Sequence, residues 1–167
     1  MGQAKKLAET QNGSIDGWDF GETSDAEAAA QFWNYLKPHL TVTKDCGTET
    51  DCYDNDVFHL NGTNAVVDYR HTNYYKFILS DGSVMWFRTS SPKCNANLNN
   101  ILTDICAYFF YDVNGDKKPN TFGRDVFQFA MTRDGVSPTL SNDCYKTSTG
   151  ISCAAYIIKN GNMNYLH

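Results

Sequence analysis

Six cysteines constrain the fold of this chain more than any other feature of its sequence. They form three sequential pairs, which are Cys46 and Cys52, Cys94 and Cys106, and Cys144 and Cys153. Because the sequence has no C-x-x-C motif and no histidine at zinc-ligand spacing, disulfides are favoured over a metal site. Several connectivities are open, and pairing between sequence neighbours is the economical one. The cysteines therefore indicate an oxidising compartment, the alternative being reduced, partly buried thiols in the cytosol.

The size and composition of the chain indicate one globular domain. Its 167 residues fit a single domain spanning 1–167 with one hydrophobic core. Aromatic residues make up 14% of the chain, which favours strands over helices. The net charge is −5, and the only adjacent basic residues are Lys5-Lys6 and Lys117-Lys118. Nucleic acids and anionic membrane surfaces are therefore excluded as partners, since both need a clustered basic face.

Two helices are predicted near the start of the chain. Residues 24–27, Ser-Asp-Ala-Glu, form a capping box, and Pro38 ends the run that follows. The buried face of this helix is predicted to consist of Ala28, Ala29, Phe32, Trp33 and Leu36. Residues 3–10 contain good helix formers and stop at Asn12-Gly13, so residues 1–13 are interpreted as the end of a truncated long helix.

Period-2 apolar patterns predict an antiparallel sheet in the rest of the chain. Strands at 74–79 and 84–88 flank Asp81-Gly82, which is a strong hairpin signal. Further strands are predicted at three places, near 105–112, near 125–133 and at 154–159.

The remaining segments are predicted to be loops. Residues 41–56 are polar and contain the first cysteine pair, and residues 136–153 end in the third pair. The predicted fold class is therefore α+β, with an N-terminal helix packed on an antiparallel sheet of about four strands and with disulfide-stapled loops.

Oxygen-bearing side chains crowd the segment between the strands near 105–112 and 125–133. These residues are Asp112, Asn114, Asp116, Asn120 and Asp125. Carboxylate and amide oxygens that alternate along a turn suit a hard cation, and the first four residues match positions 1, 3, 5 and 9 of a calcium-binding loop. The sequence therefore predicts a candidate calcium site, with Ca²⁺ as the candidate cofactor.

The same segment departs from a calcium-binding loop at two positions. Lys117 stands where glycine is required, and Gly123 stands where a bidentate glutamate is required. Asp125 could supply the missing carboxylate in a loop of different shape. The open alternative is a metal-free connection, in which Asp and Asn side chains cap their own backbone and Pro119 stiffens the path.

No arrangement typical of catalysis is visible in the sequence. The histidines are scattered, and there is no H-E-x-x-H motif, no G-x-S-x-G motif and no glycine-rich phosphate loop. Cysteines that pair cannot act as nucleophiles. We therefore predict that the protein is not an enzyme.

Two short segments match the acceptor pattern for N-glycosylation. They are Asn12-Gly13-Ser14 and Asn61-Gly62-Thr63. The pattern is short enough to arise by chance, so the sequence alone assigns neither of them a role.

Three segments carry a resemblance to a known family. They are residues 112–129 with the Asp-Gly turn at 134–135, residues 144–167 with their cysteine-bounded loop, and the helix end at 5–10. The chain resembles the globular domains of type IV pilin-like proteins, which include bacterial pilins and the pseudopilins of type II secretion systems. The resemblance covers residues 60–167 well and the rest only by the order of elements.

This resemblance implies a fold and a function. The fold would be a long N-terminal helix whose second half packs on an antiparallel sheet of about four strands. The function would be that of a structural subunit. An apolar helix would hold this subunit in the inner membrane, and a prepilin peptidase would cleave it there. The subunit would then assemble with other pilin or pseudopilin subunits into a filament. Some major pseudopilins hold calcium in a loop between late strands. In other members a C-terminal disulfide loop is structural, and Cys144 and Cys153 would form it here.

Two family features are missing from the sequence. It has neither the cleavage motif nor the apolar half of the helix, and no stretch approaches the ~20 apolar residues of a membrane helix. We therefore expect Met1-Gly2 to be an artificial start and the full-length precursor to lie in the inner membrane. The domain itself is expected in the periplasm or on a cell-surface filament. The alternative is a secreted or surface-attached, non-enzymatic binding module, such as an adhesin or a minor tip subunit, that uses the loops at 41–56 and 136–153.

Overall fold

An antiparallel sheet of seven strands forms the centre of the computed structural model, which describes residues 1–21, 25–50, 52, 55–65, 70–98, 101–115, 117–139 and 143–167. In chain order the strands are β1 (Val42–Gly47), β2 (Tyr75–Leu79), β3 (Val84–Thr89), β4 (Ala96–Leu98), β5 (Leu102–Asp112), β6 (Val126–Thr132) and β7 (Val136–Pro138). The order across the sheet is β1-β2-β3-β5-β6-β7, and β4 pairs with the first part of β5. β5 is therefore the central strand.

The described residues also form three α-helices, which are α1 (Gly2–Asn12), α2 (Ala26–Leu36) and α3 (Cys153–Asn160). The two predicted helices are confirmed, whereas the interpretation of residues 1–13 as the end of a longer helix stays a prediction. Asp25 caps α2 by accepting a hydrogen bond from Ala28 N at 2.9 Å, and all five positions of the predicted apolar face are buried. Gly13, with φ of +80°, follows the end of α1 as predicted. Ser24 of the capping box lies outside the described residues.

One face of the sheet is covered by α1 and α2. Their buried side chains share a hydrophobic cluster with Phe77, Phe87 and Phe109 of the sheet. Trp33 of α2 stacks on Phe77 with ring centroids 4.2 Å apart, and its Nε1 donates to Asp45 of β1 at 3.0 Å. This one side chain therefore joins the second helix to two neighbouring strands.

The opposite face of the sheet is covered by loops. Trp86 and Phe110 stack on this face with ring centroids 5.5 Å apart. Val57 and Phe122, from two separate connections, complete the same buried cluster. The α3 helix and the C-terminal residues pack beyond them in a smaller cluster around Leu60.

The hairpin predicted at Asp81-Gly82 is present between β2 and β3. Gly82 has φ of +85°, which favours glycine. Ser83 donates to the Asp81 carboxylate twice, from its backbone nitrogen at 3.0 Å and from its hydroxyl at 2.6 Å. The strands predicted near 105–112 and 125–133 are also confirmed, as β5 and β6.

The predicted architecture of one helix on an antiparallel sheet of about four strands is wrong. The sheet has seven strands, and strand residues make up 30% of the structure against 26% for helix, so the fold is dominated by its sheet. The additional strands are β1, β4 and β7. The segment 41–56 was predicted to be a loop because β1 is polar, with only Cys46 fully buried. Polar residues of this kind are usual in edge strands, which β1 is.

The strand predicted at 154–159 is also wrong, because these residues belong to α3. A short apolar run fits a buried strand and a helix equally well by periodicity. The distinguishing signal is Gly161, which has φ of +67° and ends the helix in the left-handed conformation.

Candidate functional site

The loop between β5 and β6 holds the residues that were predicted to form a cation site. Asp112 at the end of β5 pairs with Val126 at the start of β6. Val113 N donates to the carbonyl of Asp125 at 2.9 Å, which closes the base of the loop. The structure thus brings four of the five predicted residues together, namely Asp112, Asn114, Asn120 and Asp125, while Asp116 lies outside the described residues.

Asp112 organises the first half of the loop. Its side chain is fully buried, and its Oδ1 accepts hydrogen bonds from Asn114 N at 3.2 Å and from Gly115 N at 3.1 Å. This is an Asx-turn, in which a side chain replaces the backbone as acceptor. Gly115 has φ of +64° and lies close to the carbonyl of Gly82. The loop is therefore packed against the β2–β3 hairpin.

Asp125 organises the second half of the loop. The residue is 4% exposed, and its carboxylate accepts three hydrogen bonds. The donors are Asn120 N at 2.9 Å, Thr121 N at 2.6 Å and the side-chain amide of Asn114 at 3.2 Å. Since Asn114 also donates to Asp112, it connects the two buried carboxylates.

The side-chain amide of Asn120 faces two backbone carbonyl oxygens. They belong to Gly115 at 3.2 Å and Lys117 at 2.8 Å. With its nitrogen toward them, the amide donates two hydrogen bonds and the loop is complete without a metal. With its oxygen toward them, three oxygen atoms converge, which is an arrangement that suits a hard cation. The orientation of the Asn120 amide therefore distinguishes a metal-free loop from a calcium-binding loop.

A distant connection supports the turn at Asn120. Phe58 N donates to the carbonyl of Asn120 at 2.9 Å, and Phe122 N donates to the carbonyl of Phe58 at 2.9 Å. The ring of His59 stacks on Phe122 with centroids 5.8 Å apart. The turn is thus held from the side by a segment that lies more than 50 residues earlier in the chain.

The C-terminal region also supports the turn at Asn120. Tyr165 donates from its hydroxyl to the carbonyl of Gly123 at 2.5 Å. Burial raises the pKa of this hydroxyl to about 12, and nearby Tyr156 adds to the shift, so the group remains a donor at neutral pH. A Cβ added to Gly150 would lie 2.3 Å from the carbonyl oxygen of Phe122. The backbone at Gly150 therefore directly supports the turn.

These supporting residues were not predicted from the sequence. Phe58 and Tyr165 act through contacts that no local pattern encodes, and only the glycine at 150 could have suggested a close backbone approach. Within the described ranges, no three His, Cys, Asp or Glu side chains form a group that could hold a metal ion. The oxygen donors of the described loop are instead two carboxylates, two amides and backbone carbonyls, which are all hard ligands.

The three disulfides join the cysteine pairs that the sequence spacing favours. They are Cys46–Cys52, Cys94–Cys106 and Cys144–Cys153. Three disulfides are consistent with an oxidising location, either extracellular or periplasmic.

No protein-family model, curated protein or solved structure matches this chain. Among the described helices, none has both the length and the apolar character needed to cross a membrane.

Proposed function

We propose that this domain is the globular part of a filament subunit, in the class of type IV pilins and the pseudopilins of type II secretion systems. The observation that carries the proposal is the position of α1. Ala4 and Ala8 are buried on its inner side. Lys5 is also buried, and its Nζ donates to the carbonyl of Arg133, between β6 and β7, at 2.9 Å. Apolar and polar contacts thus attach this helix firmly to the rest of the domain.

An apolar groove of about 290 Å³ lies beside the first turn of α1. Its lining on the sheet consists of Leu79, Met85, Phe109, Tyr111, Phe129 and Val136. In the proposed subunit, a further helical segment would cover this groove.

The native N-terminus tests this proposal directly. Mass spectrometry of the protein from its source should find a chain that extends upstream of Gln3 through ~20 apolar residues and begins at a methylated residue. A native chain that begins at Met1 or Gly2 would contradict assembly through an N-terminal helix. It would instead favour a secreted binding module.

A pair of surface variants in the full-length gene gives a second test. Leu7 is 46% exposed on the outer side of α1, whereas Ile158 is 66% exposed on α3. If α1 packs against neighbouring subunits, Leu7→Arg should reduce the yield of sheared filaments at least tenfold, because a charge would be buried at the contact. Ile158→Arg, an equal change on an exposed helix, should leave the yield unchanged. Filaments of normal yield from both variants would contradict this packing.

We further propose that the β5–β6 loop takes up one Ca²⁺ ion. Asp112, Asn120 and Asp125 would hold it together with the carbonyls of Gly115 and Lys117. The observation that supports this is the pair of buried carboxylates, those of Asp112 and Asp125, which are both hydrogen-bonded to Asn114 within one loop. The Asn120 amide faces the carbonyl oxygens of Gly115 and Lys117, and with its own oxygen toward them the loop would offer further oxygen ligands to a divalent cation.

Calcium should therefore raise the thermal stability of the domain. At a free concentration 100 times its dissociation constant, Ca²⁺ should add about 2.7 kcal/mol to the free energy of unfolding, because it binds the native state only. Differential scanning calorimetry with Ca²⁺ and with a chelator measures this difference. In the same samples, the side-chain NH₂ signals of Asn120 should shift in NMR spectra. Equal melting temperatures under both conditions would contradict the calcium site.

A further inference from the structure

Residues 57–65 form a narrow turn with Asn61 at its tip. Ala65 N donates to the carbonyl of Val57 at 2.8 Å, and His59 N donates to the carbonyl of Thr63 at 2.7 Å. Next to the tip, Leu60 N donates to the carbonyl of Thr149 at 3.0 Å, which ties the turn to the C-terminal region. The backbone of this turn is therefore held in one conformation.

The tip of the turn is open to solvent. Asn61, Gly62, Thr63 and Asn64 are all exposed, although the residues on either side are partly or fully buried. Gly62 has φ of +86°, and its N–H donates to the carbonyl of His59 at 2.9 Å. The structure thus presents three consecutive residues of the sequence Asn-Gly-Thr at the end of a rigid support.

The Asn61 side chain adopts a specific hydrogen-bonding pattern with Thr63. Its Oδ1 accepts from Thr63 N at 3.0 Å and from the Thr63 hydroxyl at 2.7 Å. No acceptor within the described part of the chain contacts its Nδ2. Two hydrogen bonds to the oxygen polarise the amide and make its N–H groups more acidic, while the nitrogen stays accessible. The threonine hydroxyl therefore has a defined chemical effect on the asparagine two residues before it.

The second segment with the same sequence pattern lacks this arrangement. Asn12 lies at the end of α1, where its Nδ2 donates to the carbonyl of Ala8 at 2.9 Å. The hydroxyl of Ser14 donates to the carboxylate of Asp16 instead of to Asn12. The nitrogen of Asn12 is therefore engaged and its amide oxygen receives no help from Ser14. The structure therefore distinguishes the two segments with the acceptor pattern, which the sequence alone could not do.

From this difference we propose that Asn61 is a site of N-glycosylation and that Asn12 is not. The co-substrate would be an oligosaccharide carried on a lipid pyrophosphate, with a transferase of the cell as catalyst. Asn61 Nδ2 would attack the anomeric carbon and form a C–N bond, while the C–O bond to the pyrophosphate breaks. The lipid pyrophosphate leaves with the bonding electrons, and Nδ2 loses one proton. The three disulfides fit this modification, because proteins that receive such glycans pass through the compartments in which disulfides form.

The test is peptide mapping of the protein purified from its native source. We expect the peptide that contains Asn61 to carry the added mass of an oligosaccharide and the peptide that contains Asn12 to carry none. An unmodified Asn61 peptide would overturn the proposal, and so would modification of Asn12 to the same extent. These results do not depend on filament assembly, which is scored separately.

Three variants in the native gene show whether the Thr63 hydroxyl acts as described. Thr63→Ser keeps the hydroxyl and should retain the modification. Thr63→Val has nearly the same shape and should reduce occupancy of Asn61 at least tenfold. Ser14→Ala is the matched control and should leave Asn61 occupied. Thr63 is exposed, so the melting temperature of the Val variant should stay unchanged, which excludes unfolding as the cause. Full occupancy in the Val variant would overturn the role of the hydroxyl.

Discussion

Replacement of Asp125 with alanine should lower the free energy of unfolding by about 3–5 kcal/mol. The residue is 4% exposed, and its carboxylate accepts hydrogen bonds from Asn120 N, Thr121 N and the Asn114 side chain. Removal of the carboxylate would leave three donors without an acceptor inside the protein. Each buried donor that loses its partner costs about 1–3 kcal/mol. Urea denaturation in the presence of a chelator measures this loss without any contribution from a bound cation.

Two further variants make this measurement specific. Asp125→Asn keeps one acceptor oxygen and should cost less than Asp125→Ala. Asp134 is exposed in the next turn, so Asp134→Ala should change stability by less than about 0.5 kcal/mol. A loss below about 1 kcal/mol for Asp125→Ala would mean that its hydrogen bonds do not hold the loop.

The second large effect is expected at Gly150, where replacement with alanine should cost about 2–5 kcal/mol. The residue has φ of +78°, which disfavours any residue with a Cβ. The new Cβ would also lie 2.3 Å from the carbonyl oxygen of Phe122 and 2.8 Å from Leu60 Cβ. Because the first of these atoms belongs to the backbone, relief requires movement of the turn that Asp125 organises.

Gly161 provides the matched control for the steric part of this effect. It has φ of +67°, but a Cβ added there would meet no atom within 4 Å. Gly161→Ala should therefore cost only the conformational part, about 1–2 kcal/mol. Thermal denaturation of both variants measures the difference. Equal losses would show that the close approach of Gly150 to Phe122 contributes nothing.

The parts of the fold that were predicted correctly are those with local signals. Asp25 and Pro38 mark the two ends of α2, and Asp81-Gly82 marks the β2–β3 turn, so neighbouring residues were sufficient to define these elements. β1 was missed because a polar edge strand depends on β2 for its hydrogen bonds. In α3 the apolar run was interpreted as a strand, because periodicity cannot separate the two structures over so few residues.

The candidate site was predicted only in part, for a similar physical reason. The sequence showed the oxygen-bearing residues Asp112, Asn114 and Asn120, and it also showed the carboxylate of Asp125 at the end of the loop. The sequence could not show which backbone groups those side chains bind. It also could not show that Phe58 supports the turn, because a backbone hydrogen bond leaves no trace in residue identity.

The pairing of the three disulfides has a consequence for the maturation of the protein. Each one joins cysteines that follow one another along the chain, with separations of 6, 12 and 9 residues. Because partners are close in sequence, they meet more readily than cysteines from different pairs. Oxidation can therefore proceed one pair at a time as the chain emerges, with few mispaired intermediates. A compartment that supplies an oxidant should suffice for the bridges to form, without an isomerase to correct them.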